Sequence, residues 1–152
     1  MQLSRLIFLS VLIMLFFGNT LYAKELVLKA SEVSTLLTDA TVLVTHAGAS
    51  KDESEPFKVY FGEQGLIEVK SSEGGEQNRA WSINDDGRLC ISRSFSRRRG
   101  GATCGYLVTT LGTGVYTMYK AKGVEVEGER AVSARQAKPI LVFSKFVAGN
   151  QL

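Results

Sequence analysis

Between Phe57 and Lys120 the chain is cut into short apolar stretches by glycine and polar turn signals. That punctuation constrains the fold more than any other feature. Phe57, Val59 and Phe61 alternate with Lys58 and Tyr60, the pattern that gives a strand one apolar face. Gly65 opens a second run through Ile67 and Val69, and Ser71 to Gln77 reads as a polar loop. Trp81 and Ile83 resume the alternation around Ser82. Asn84-Asp85-Asp86-Gly87 is then a strong turn, and Arg88 to Arg93 returns as the second arm of a β-hairpin. Arg97 to Gly101 is another tight connection before Thr103 to Leu111, and Gly112-Thr113-Gly114 turns the chain into Val115 to Lys120. Runs around Val124 to Val126 and Ile140 to Phe146 extend the sheet. Pro139 suits the start of the last run, where its missing N–H costs least.

Connections of about two to six residues join such strands antiparallel. The expected fold is therefore mainly β: an antiparallel meander of six or seven strands forming a curved sheet or small barrel. Phe57, Phe61, Trp81, Tyr106, Tyr116 and Tyr119 are expected to supply much of its core. One short helix should precede the sheet, within Lys24 to Val42. Ser31 reads as its N-cap, Glu32 suits a helix N-terminus, and Val33, Leu36 and Leu37 share one face. A helix of about two turns is marginal alone, so its apolar stripe must pack on the sheet.

The N-terminus has a different character. Met1 to Arg5 carries one positive charge, Leu6 to Phe17 is uncharged and almost wholly apolar, and Leu21-Tyr22-Ala23 ends on a small residue. This is the plan of a secretory signal peptide, and the apolar run falls short of the roughly 20 residues that span a bilayer. The expected organisation is a signal peptide over 1–23 and a single β-rich domain over 24–152, with no stable membrane span after cleavage and a location in the periplasm or outside the cell. In that oxidising setting the chain's two cysteines, Cys90 and Cys104, are expected to form a disulfide between consecutive strands. Their spacing is not that of a C-x-x-C redox pair.

Composition removes several functions. One His and two Cys cannot build a conventional zinc site, and no cofactor is expected. The formal net charge is only +3 and falls on loss of Arg5, which argues against a nucleic-acid binder driven by phosphate neutralisation. No G-x-S-x-G or S-x-x-K nucleophile motif is present. Asp85-Asp86 reads as turn chemistry, and Glu125, Glu127 and Glu129 as the outer face of an edge strand. His46 is isolated in sequence and could act only as a lone base. The run Arg97, Arg98 and Arg99, with Arg93 nearby, is a candidate contact for an anion or a partner, set against its plainer reading as a solvated hairpin tip.

Trp81, the segment Asp86-Gly87-Arg88-Leu89-Cys90 and Cys104 together resemble a group of small exported proteobacterial domains of unknown function. The resemblance takes in Leu36-Leu37, Tyr60-Phe61 with Gly65, and Gly149-Asn150, and so covers most of the chain. Thr38-Asp39-Ala40 departs from the usual Gly-Asn-Thr, and Arg79-Ala80 stands where a Gly-Thr pair often precedes the Trp. The resemblance implies a periplasmic β-domain and assigns no catalytic residue.

The first expectation for function is a periplasmic binding or interaction module without catalytic machinery, for instance an inhibitor of an extracytoplasmic enzyme. Its partner would be a periplasmic protein or small ligand. The alternative is a small hydrophobic-ligand carrier of barrel type, which requires an internal pocket of about 300 Å³ or more. An enzyme is the least favoured class.

Overall fold

A computed structural model describes residues 25–48, 55–70, 76–92, 101–122, 124–127, 131–133 and 137–152. The signal segment 1–23 and the arginines Arg97, Arg98 and Arg99 lie outside the described residues. The elements, in chain order, are β1 (Glu25–Val27), α1 (Ala30–Leu37), β2 (Ala40–His46), β3 (Phe57–Phe61), β4 (Leu66–Lys70), β5 (Glu76–Ile83) and β6 (Leu89–Ser92). They continue with β7 (Ala102–Thr110), β8 (Tyr116–Lys120), β9 (Glu125–Glu127), β10 (Ala131–Ser133) and β11 (Pro139–Ala148).

Strands β2 to β8 form a meander, each antiparallel to the next, of which β3 to β8 were expected. β11 then returns between β8 and β2 and closes an eight-stranded barrel. β6 pairs with the first half of β7, from Ala102 to Gly105, and β1 with its last residues, Val108 to Thr110. From β1 the ladder runs outward through β10 to β9, which lies at an edge as the sequence suggested.

β2 was missing from the sequence-based expectation. Ala40 to Val44 is buried or half-buried at every position, so it carries no polar alternation to mark it as a strand. β5 likewise begins at Glu76, inside the stretch read as loop.

The inward faces fill one half of the barrel. Phe61, Phe143, Leu89, Leu107 and Met118 are fully buried there. Tyr106 and Tyr119 depart from the expected core. They face each other across β7 and β8 on the outer surface, because Leu107 and Met118, their neighbours in the alternation, point inward. Phe143 takes the core place instead.

α1 packs against β2 and β5 and adds fully buried Val33 and Leu37 to the same cluster. Its N-cap is Lys29 and not Ser31, which lies in the first turn. Glu32 Oε2 accepts a hydrogen bond from the Lys29 N–H at 2.9 Å, satisfying an amide left open at the helix start. After the helix, Asp39 turns the chain into β2 with φ of 53°, a left-handed conformation that Asp and Asn tolerate better than other side chains. The Asp39 N–H donates to the Phe61 carbonyl and Asp39 Oδ1 accepts from the Tyr60 hydroxyl, both at 2.8 Å.

Cys90 and Cys104 are directly opposed on β6 and β7 and form a disulfide, with Cα atoms 4.1 Å apart. Leu89, adjacent to Cys90, and Leu107, three residues beyond Cys104, point into the core, so the bridge lies on the outer face. Replacing both cysteines by serine is expected to remove about 3 kcal/mol, the chain-entropy value for a loop of this length. Urea unfolding checks the loss, and free-thiol titration of denatured, unreduced protein should find none. Two titratable thiols would overturn the bridge.

Candidate functional site

The barrel is packed at only one end. Eight strands enclose an interior that side chains can just fill or that can hold one small ligand. The packed half lies where β3, β5 and β7 finish and β2, β4 and β6 begin, with α1 against it. Toward the opposite end lies a cavity of about 410 Å³. Phe61, Met118 and Phe143 form its floor, and Val44, Val59, Ile67, Val69 and Leu141 are among its walls. Each wall residue is the inward member of its strand's alternation.

Polar groups enter the lining at the strand ends. His46 closes β2, Glu55 precedes β3, Gln77 and Arg79 open β5, Ser92 ends β6 and Thr103 opens β7. They mark the mouth. Arg79 reaches further in than the exposed Glu55 and His46. It is half-buried and sits directly across the ladder from Ile67, which is 1% exposed. Its guanidinium donates to Gln77 Oε1 at 2.8 Å. His46 stacks at a tilt on Phe57, ring centroids 5.4 Å apart, and makes no hydrogen bond to a carboxylate among the described residues. No group of three or more His, Cys, Asp or Glu side chains among the described residues is placed to hold a metal ion.

Sequence reading singled out His46 but missed Glu55 and Arg79. Arg79 had a signal: counting back by alternation from Trp81 places Arg79 and then Gln77 on the inward face. Reading Ser71 to Gln77 as loop concealed it.

Among the described residues, the Asn84 to Gly87 turn, Trp81 and Gly149 have structural roles. In the Asn84 to Gly87 turn, the Gly87 N–H donates to the Asn84 carbonyl at 2.8 Å, and Gly87 has φ of 86°. A Cβ there would come within 2.9 Å of the Leu28 carbonyl, so only glycine lets the turn seat against the β1–α1 connection. Asp86 pairs with Arg88 at 2.6 Å and accepts from the Tyr106 hydroxyl at 3.3 Å. Hydrogen bonding from Arg88 holds the Asp86 carboxyl below the usual carboxylate range, while burial and the Asp86 charge push the Tyr106 phenol up. This exposed ion pair orders a turn and contributes little energy.

Trp81 Nε1 donates to the Gly62 carbonyl at 3.2 Å, and the ring meets Phe61 edge-on at 5.4 Å. The Gly149 carbonyl accepts from Thr41 Oγ1 at 2.7 Å, which ties the C-terminal residues to β2. Leu37, Phe61, Gly65, Trp81 and Gly87 all belong to the packed end. The mouth is built from other residues.

No protein-family model, curated protein or solved structure matches this chain. Among the described residues, no helix is long and apolar enough to cross a membrane.

Proposed function

We propose that this protein binds and carries a small, largely apolar ligand inside its barrel, outside the cytoplasm. One observation carries the reading: the apolar cavity of about 410 Å³ that opens among polar groups at one end of the barrel. A cavity of that size falls within the range of small-molecule sites, whose walls are mostly apolar with a few polar groups fixing orientation. An inhibitor or docking module needs no such internal space. The N-terminal apolar run and the Cys90–Cys104 bridge support export to an oxidising compartment.

Val69→Trp provides the test. Val69 is only half-buried, so a larger ring can turn into the cavity without displacing packed neighbours. The wild type should bind the neutral fluorophore N-phenyl-1-naphthylamine saturably. Val69→Trp should weaken that binding by about tenfold or more with its thermal unfolding midpoint unchanged. A wild-type protein with no saturable binding would overturn the carrier reading.

A further inference from the structure

We infer that the ligand is a single-chain amphiphile with an anionic head group, held by Arg79; this rests on the carrier reading above. Among the described residues lining the cavity, Arg79 is the only lysine or arginine, and Val44, Val59, Ile67 and Val69 share its walls. A charge brought into apolar surroundings is costly unless an opposite charge or a full set of hydrogen bonds accompanies it. Arg79 has neither within the described protein. Its hydrogen-bond partner there is the neutral side-chain oxygen of Gln77, and it forms no ion pair with Glu55, the carboxylate at the same mouth.

The guanidinium therefore keeps donors for something else. Its planar fork fits a carboxylate or phosphate through two parallel N–H···O bonds, and such charge-assisted bonds are about twice as strong as neutral ones. Gln77 restrains the guanidinium from one side, so the fork is oriented before a ligand arrives.

Size and charge then limit the occupant together. At about 30 Å³ for each water-sized group, the cavity holds on the order of a dozen non-hydrogen atoms. A ten-carbon chain with one carboxylate has that size. The chain would lie against Val44, Ile67, Val69 and Leu141, and the head group against Arg79. Glu55 is exposed at the rim and Arg79 is half-buried, so charge within the cavity itself favours an anion over a cation.

Titration calorimetry of the full chain with decanoate, decyl phosphate, 1-decanol and decyltrimethylammonium, each below its micelle concentration, tests this. At least one of the two anions should bind about tenfold or more tightly than decanol, and the stronger of them identifies the head group. Arg79→Gln should erase that preference while leaving decanol affinity and the thermal unfolding midpoint unchanged. Arg79→Lys should recover part of it. Decanol binding as tightly as both anions, decyltrimethylammonium binding best, or an unaltered anion preference in Arg79→Gln would each overturn the role of Arg79 and leave the carrier reading standing. Failure of all four compounds to bind would overturn the amphiphile assignment, and the carrier reading with it only where N-phenyl-1-naphthylamine also fails to bind.

Discussion

Gly105→Ala is expected to lower stability by about 3 kcal/mol or more, the upper range for overpacking at a site that cannot relax. Gly105 lies in β7, opposite Leu89 on β6 and Lys120 on β8. A Cβ at this position would overlap the backbone carbonyl oxygen of Tyr119 and come within 3.1 Å of Met118 Cγ. A flexible side chain could move aside, but a carbonyl in a paired strand cannot move without shifting the ladder. β7 is where β6, β8 and β1 all meet, so the shift would spread into the closure of the barrel. Domains of this kind are stable by about 5–15 kcal/mol, which makes the loss a large share of the total. Urea unfolding beside Gly101→Ala provides the measurement. A Cβ on Gly101 meets nothing within 4 Å, so that control should change stability by less than about 0.5 kcal/mol. Equal stability of the two variants would show that β7 and β8 do not approach this closely.

Phe61→Ala should cost about 3–5 kcal/mol and enlarge the ligand space at the same time. Phe61 is the last residue of β3 and is fully buried. Its ring meets Trp81 edge-on at 5.4 Å and lies 6.3 Å from the ring of Phe143. It also belongs to the cavity floor, so the volume it vacates adjoins space that is already open. Trp81 is the chain's single tryptophan, and its fluorescence in a guanidinium titration reports directly on this contact. The stability loss should come with a shift of ligand preference toward a longer chain, dodecanoate over decanoate. A loss below about 1 kcal/mol with unchanged preference would mean that the packed half collapses into the gap and that Phe61 is not the floor.

Much of the fold was legible in the sequence wherever the deciding interaction is local. Alternation marked β3 and the end of β5 because residues two apart share one face of a strand, and glycine turn signals bounded the runs that became β4, β7 and β8. Asn84 to Gly87 marked its turn because a positive φ requires glycine. The cysteines announced their own pairing once an oxidising compartment was inferred. Where burial covers both faces the local signal disappears, and β2 was lost for that reason. Tyr106 and Tyr119 show the reverse error: an aromatic side chain suggests a core, but strand phase put both outside.

The amino-acid sequence alone determined a mainly β chain with one short leading helix, its principal turns and a two-strand staple. All of these depend on residues near one another along the chain. Tertiary structure alone decided that the sheet closes, because β11 must meet β2 at about the far end of the chain, and neither strand carries a local mark of its partner. The cavity was decided there too. Its volume is what remains when inward side chains from different strands are brought around one axis, and no single strand specifies that remainder. Arg79 acquires its role in the same way: an arginine beside a tryptophan in one strand becomes a cation inside an apolar wall only when Val44, Val59 and Ile67 close around it.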